Sequence, residues 1–175
     1  MRILGIDPGI GICGFGLINV GGRDGTQALD FGAVTTKVDA PISERLLELY
    51  ESLREVFQQT KPEVVAIEKL FFSKNITTGI AVAEARGVIL LVAEQFGAKI
   101  REYTPNEIKK SLTGYGSATK TQMEEMVRVH LGLVKKPKPD DVADALAVAI
   151  TCGFLYREDD IIVTEKFSNS RKEKK

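Results

Sequence analysis

The hydrophobic period of the chain changes once, and that change restricts the fold more than any single motif does. Up to Thr35 the apolar residues fall in short runs, Arg2–Asp7, Gly14–Val20 and Gln27–Thr35, separated by Pro8-Gly9 and by the turn Gly21-Gly22-Arg23-Asp24-Gly25. Runs of this kind read as strands, and turns this short make them an antiparallel meander. From Pro41 the repeat lengthens. Ile42, Leu46, Leu49, Leu53, Val56 and Phe57 fall on one helical stripe that reaches about Gln59 and stops at Lys61-Pro62. Strands and helices then alternate: strand Glu63–Glu68, helix Thr77–Phe96, strand Lys99–Tyr103, a short helix opening at Thr104-Pro105-Asn106-Glu107, helix Thr119–Leu131, and a last helix from Asp140 to about Arg157. A meander followed by alternation predicts an α/β fold, a five-stranded mixed sheet flanked by helices on both faces.

A chain of 175 residues is the size of one domain. We expect that domain to span residues 1–158, with a charged, flexible C-terminal tail over 159–175. No run of about eighteen apolar residues exists to span a membrane, and Met-Arg-Ile-Leu-Gly-Ile-Asp is too short and too soon charged for a secretory signal. Cys13 and Cys152 have no metal-ligand spacing and read as buried free thiols. A cytoplasmic protein is expected.

Acids stand where apolar elements end. Asp7 closes the first strand before a Pro-Gly break, and Glu68 closes another. An unpaired carboxylate at the end of a core strand costs several kcal/mol or more to desolvate, although an Asp-Pro-Gly bend can also use its Asp as a turn cap. The last helix begins Pro139-Asp140-Asp141-Val142-Ala143-Asp144 and continues in Ala, Leu, Val and Ile. Asp140 has the position of an N-cap, and the helix dipole accounts for an acid at Asp141. Neither account reaches Asp144, which shares a face with Asp141 at i, i+3.

If Asp7, Glu68, Asp141 and Asp144 converge, they cannot all stay ionised unaided. Two carboxylates 4 Å apart repel by about 4 kcal/mol at an effective dielectric near 20. Protonation relieves the repulsion, and so do divalent cations. Asp and Glu without His or Cys select hard ions, Mg²⁺ or Mn²⁺. The single imidazole, His130, is placed in a helix as a surface residue. Mg²⁺ on carboxylates handles phosphate oxygens, and a pair of ions suits in-line displacement at phosphorus, the chemistry of a nuclease.

The 24 basic residues balance 24 acidic ones, which does not mark a nucleic-acid binder. Lys99 to Lys138, however, carries nine bases against four acids, a local excess compatible with phosphate contacts. Two other classes fit parts of the pattern. Asp7-Pro8-Gly9-Ile10-Gly11 is like the first phosphate loop of sugar kinases and actin-like ATPases, but those need a second such loop, and no Asp-Gly-Gly-type loop follows. A non-catalytic binding module would use the acids only as caps and pairs.

Taken in order, Gly-Ile-Asp7-Pro-Gly, Ala-Ile-Glu68, Gly-Ser117-Ala-Thr-Lys120 and Asp141-Val-Ala-Asp144-Ala-Leu-Ala resemble the bacterial RuvC family of crossover junction endodeoxyribonucleases. The match runs from Arg2 to about Cys152. The resemblance implies a ribonuclease H-like fold, a homodimer, Mg²⁺-dependent resolution of four-way (Holliday) junction DNA in recombination and repair, and partnership with the RuvA–RuvB branch-migration complex. It implies Asp7, Glu68, Asp141 and Asp144 as catalytic metal ligands for two Mg²⁺ per subunit, with Mn²⁺ substituting. Some relatives carry His where this chain has Asp144. The family's DNA-contacting aromatic falls on Phe71, beside Phe72, and its basic DNA-binding positions on Lys109 and Lys120. Read from the residues alone, those lysines are solvated helix charges flanking a glycine loop. Arg86 reads as a helix-surface or interface residue. Helix Thr77–Phe96 has more apolar surface than one sheet contact needs, so a dimer contact is expected there.

Overall fold

Strands built on small residues let a helix lie directly on the sheet, and this contact organises the computed structural model, which describes residues 1–22, 25–70 and 76–156. The strands are β1 (Arg2–Asp7), β2 (Ile12–Gly22), β3 (Gly25–Thr35), β4 (Val64–Glu68) and β5 (Lys99–Tyr103). The helices are α1 (Ile42–Thr60), α2 (Ile76–Gln95), α3 (Pro105–Thr113), α4 (Lys120–His130) and α5 (Asp140–Leu155). The sheet order is β3-β2-β1-β4-β5. β1, β2 and β3 pair antiparallel as the expected meander, while β4 and β5 run parallel to β1. The expected five-stranded mixed sheet is present, its element ends displaced by at most a residue or two.

Strand alternation sorts the side chains onto two faces. Leu4, Ile6, Leu17, Val65 and Ile67 pack under α1 and α2 against Leu49, Leu53, Phe57, Ile89 and Val92. Ile3, Ile18, Val64 and Ala66 pack on the opposite face under α5, with Ile108 and Leu112 of α3 and Met123 and Val127 of α4 in the same cluster. Helices therefore cover both faces. α5 is buried along almost its whole length from Val142 to Cys152, which is why its sequence is apolar on nearly every side.

That burial depends on glycine. A Cβ at Gly5 would overlap the Ala145 carbonyl, one at Gly14 the Asp141 carbonyl, and one at Gly16 the Leu146 side chain. Ala145 and Ala149 of α5 meet the bare backbone of β1 at Gly5, and Asp141 and Leu146 meet that of β2 at Gly14 and Gly16, so the helix sits closer than a side-chain layer would permit. α3 and α4 each start in a reciprocal capping box, Thr104 with Glu107 and Thr119 with Gln122. α1 ends at Lys61, which takes a left-handed conformation with φ 45° ahead of Pro62. Cys13 and Cys152 are buried and free. Among the described residues no helix is long and apolar enough to cross a membrane.

Candidate active site

Period-two alternation carries two acids to the α5 side of the sheet. Ile3 lies on that face, and so does Gly5, under Ala145 and Ala149. Asp7, two residues further on, points the same way. Val64 and Ala66 of β4 lie on the same face, which directs Glu68 there too. β1 and β4 are parallel and in register through Ile6↔Ile67. One residue beyond that pair, Asp7 and Glu68 leave neighbouring strands about 4.8 Å apart.

The other two acids arrive with α5. Asp7 faces Gly14 across the β1–β2 ladder, and the main-chain carbonyl of Asp141 fills the place a side chain would take at Gly14. The helix N-terminus is thus seated over the end of β1, with Asp144 one turn further along. Asp140 is not the N-cap. Pro139 holds that position without a side-chain cap bond, so Asp140 is the first helical residue, and its carboxylate turns outward to lysines.

The electrostatics record the convergence. Burial, followed by the charges of Asp144, Asp141 and Glu68, raises the Asp7 carboxyl from its ordinary 3.8 to about 7, with Lys120 opposing. Burial and Asp144 also raise Glu68, against Lys109. Burial raises Asp144, and Lys120 offsets part of that rise.

Lys120 lies 3.4 Å from Asp140 and 3.4 Å from Asp144. Burial lowers the pKa of its ammonium, but Asp144 and Asp140 outweigh that and the net shift is upward. Lys109, Lys120, Glu68 and Asp144 line one cleft of about 230 Å³, floored by Ile108, Met123 and Ala147. Asp7 and Glu68 line an adjoining cleft of about 270 Å³, and Glu68 belongs to both.

The all-oxygen donor set fits a hard divalent ion. A buried carboxyl raised by three like charges is the environment such an ion relieves. Among the described residues no three His, Cys, Asp or Glu side chains form a ready ion cage. Two of these acids have cationic neighbours: Lys120 is paired with Asp144, and Lys109 opposes the rise of Glu68.

The remaining sequence expectations divide. Phe71 and Phe72 lie outside the described residues, as does the chain beyond Tyr156. His130 is the last residue of α4 rather than mid-helix, its Nε2 3.3 Å from the Leu112 carbonyl and its ring against Phe154. Arg86 forms an ion pair with Glu102 of β5. The basic stretch is partly consumed internally: Arg101 lies over the Tyr156 ring, Arg128 pairs with Glu125, and Lys136 and Lys138 reach Glu124. Sequence reasoning missed Asp140 as a partner of Lys120. The spacing of Asp140 and Asp144, i and i+4, was the available signal, because one lysine can reach both.

The family model for "Crossover junction endodeoxyribonuclease RuvC" matches residues 3–152. The crossover junction endodeoxyribonuclease RuvC of Caldicellulosiruptor saccharolyticus is 49% identical over 166 residues, covering 92% of this chain and all of the relative. That of Pseudothermotoga lettingae is 48% identical over 168 residues, covering 96% of this chain and all of the relative. Among solved structures, Thermus thermophilus RuvC in complex with a Holliday junction substrate superposes with a TM-score of 0.83 at 36% identity, over 88% of this chain and 93% of that one. The yeast mitochondrial Holliday junction resolvase, at 13% identity, 87% coverage of this chain, 77% of its own and a TM-score of 0.64, shares the fold.

Proposed function

The chain belongs to the crossover junction endodeoxyribonuclease RuvC family, and from that premise we propose that Asp7, Glu68, Asp141 and Asp144 are its catalytic metal ligands. The protein is a structure-selective endodeoxyribonuclease that resolves four-way (Holliday) DNA junctions. The observation that supports the site assignment is the convergence at the end of β1: Asp7 and Glu68 leave parallel, in-register strands, and the Asp141 main chain packs on Gly14, which faces Asp7.

The family implies a divalent metal, and we read it as Mg²⁺, two ions per subunit, with Mn²⁺ able to substitute. Bound there, such ions supply a water activated for attack on a phosphodiester and charge to steady the leaving oxygen. The protein's own groups do the rest. Asp7, at the strand end, supplies a fixed anchor because the ladder to Gly14 and the parallel pairing to β4 hold it. Lys109 and Lys120 face the cleft from α3 and α4, where their ammonium groups can hold the phosphate backbone and offset charge building up at the scissile phosphate. Phe71, outside the described residues, takes the role of stacking on bases at the crossover, worth about 1–3 kcal/mol per base.

A homodimer would present two such sites, its two-fold axis matching the symmetry of a junction nicked on two strands. Ile80 and Leu91 on α2 are 53% and 54% exposed, which supports α2 as part of the dimer contact. Cooperation with a RuvA–RuvB branch-migration complex and a cytoplasmic location complete the reading.

The test is cleavage of a mobile four-way junction against linear duplex of the same sequence, with Mg²⁺ and with chelator. Paired nicks in the junction alone, lost in chelator and in Asp7→Asn, are expected. Equal cutting of the linear duplex would reject junction selectivity, and full activity of Asp7→Asn would reject the site.

A further inference from the structure

Asp140 holds two lysines at once. The Lys138 Nζ is 2.7 Å from its Oδ1, and the Lys120 Nζ is 3.4 Å from its Oδ2. The same Lys120 ammonium is 3.4 Å from Asp144 Oδ2. Asp140 and Asp144 are one helical turn apart on α5, so Lys120 is shared between a carboxylate at the rim and one in the cleft. Lys138 does not depend on Lys120 for its place. It and Lys136 also reach Glu124 of α4, at 4.0 and 3.6 Å, and the Glu124 side chain is only 11% exposed. Asp140 is not spent on capping α5, since Pro139 occupies the cap, and it is not one of the three acids acting on Asp7.

An ion that takes Asp144 Oδ2, the oxygen facing Lys120, must displace the ammonium from it. An ammonium released into solvent would leave the cleft, whereas one already paired with a second carboxylate a turn away can stay at the mouth. We propose that Asp140 is a positioning residue that retains Lys120 at the cleft when a divalent ion takes Asp144. The inference rests on the metal-ligand reading given above. Asp140 then favours ion binding through Lys120, by giving the displaced ammonium a partner, and not only through its own charge.

Mn²⁺ titration of the full-length protein, followed by electron paramagnetic resonance, separates these contributions in a double-mutant cycle of D140N and K120M. Both residues are solvent-accessible, and unchanged melting temperatures would confirm intact folding. With Lys120 present, D140N is expected to weaken Mn²⁺ binding about five- to tenfold, in the range of couplings between contacting side chains. In the K120M background, with no ammonium to rehouse, the effect is expected to shrink to about twofold or less. D140E should restore most of the affinity. An equal loss in both backgrounds would overturn the inference and leave Asp140 as a remote charge, with the metal site intact. Failure of the wild type to bind Mn²⁺ saturably would instead remove the metal reading, and this inference with it.

Discussion

Asp7 and Gly14 face each other across the β1–β2 ladder, and the Asp141 carbonyl fills the space that a side chain at Gly14 would need. One missing Cβ therefore brings the start of α5 over the end of β1 and makes neighbours of residues far apart in the chain. The cluster of acids is a consequence of how closely a helix can lie on a glycine-lined sheet.

Gly14→Ala should consequently damage stability and site together. The added methyl meets main chain, which has no rotamer to escape into, so α5 must lift or slide. Overpacking of this kind costs about 1–3 kcal/mol, and the urea midpoint should fall accordingly. Cleavage should fall much further than the loss of folded protein explains, because Asp141 and Asp144 move with the helix. A variant of wild-type stability and activity would show that the close contact is dispensable.

The stability of the metal-free protein should decline as pH rises from about 4 to about 7. Asp7 titrates at about 7 in the folded protein against an ordinary value of 3.8, so between those values the native state holds a proton that the unfolded chain has released. Its contribution is fully present below the unfolded value and is lost as pH rises through the folded one. A shift of this size corresponds to about 4 kcal/mol. Thermal melts in chelator should trend downward over this range, and added Mn²⁺ should raise the melting temperature more at pH 8 than at pH 6, where protons compete for Asp7.

Asp7→Asn should be more stable than wild type in chelator at pH 8 while losing cleavage. The amide keeps the shape of the carboxylate and removes the charge that Glu68, Asp141 and Asp144 oppose, a trade of function against stability found where like charges are gathered for chemistry. The gain should vanish near pH 5, where Asp7 is protonated. A destabilised variant at pH 8 would mean that the Asp7 carboxylate makes favourable contacts that outweigh the repulsion.

Lys120→Met should move two measurements in opposite directions. With no ammonium to displace from Asp144, Mn²⁺ should bind more tightly. Cleavage of saturated enzyme should fall by about 10²–10³-fold, the usual loss when one group stabilising transition-state charge is removed. Parallel changes in both quantities would place Lys120 in metal binding alone.

Most of the element order was legible because each element carries a local signature: the capping boxes at Thr104 and Thr119, the Lys61-Pro62 stop, and the switch from period two to a helical stripe. The acids were legible because carboxylates closing apolar runs are costly without a purpose. The glycines were not, since the group that needs Gly14 to be small is Asp141, a partner that no local pattern reveals. Asp140 was read as a cap because its position after Pro139 suits one, yet its carboxylate is claimed by Lys138 and Lys120, which approach from outside the helix. Arg101 was counted in the basic stretch compatible with phosphate contacts, but it turns over the Tyr156 ring, because alternation along β5 directs it toward α5.

The most direct measurement is an anomalous difference map from a crystal of the full-length protein soaked in Mn²⁺. The account predicts manganese peaks within coordination distance of Asp7 and shared with Glu68, Asp141 and Asp144, with the Lys120 ammonium withdrawn from Asp144. Manganese bound elsewhere, with these four carboxylates free of it and Lys120 still on Asp144, would contradict it.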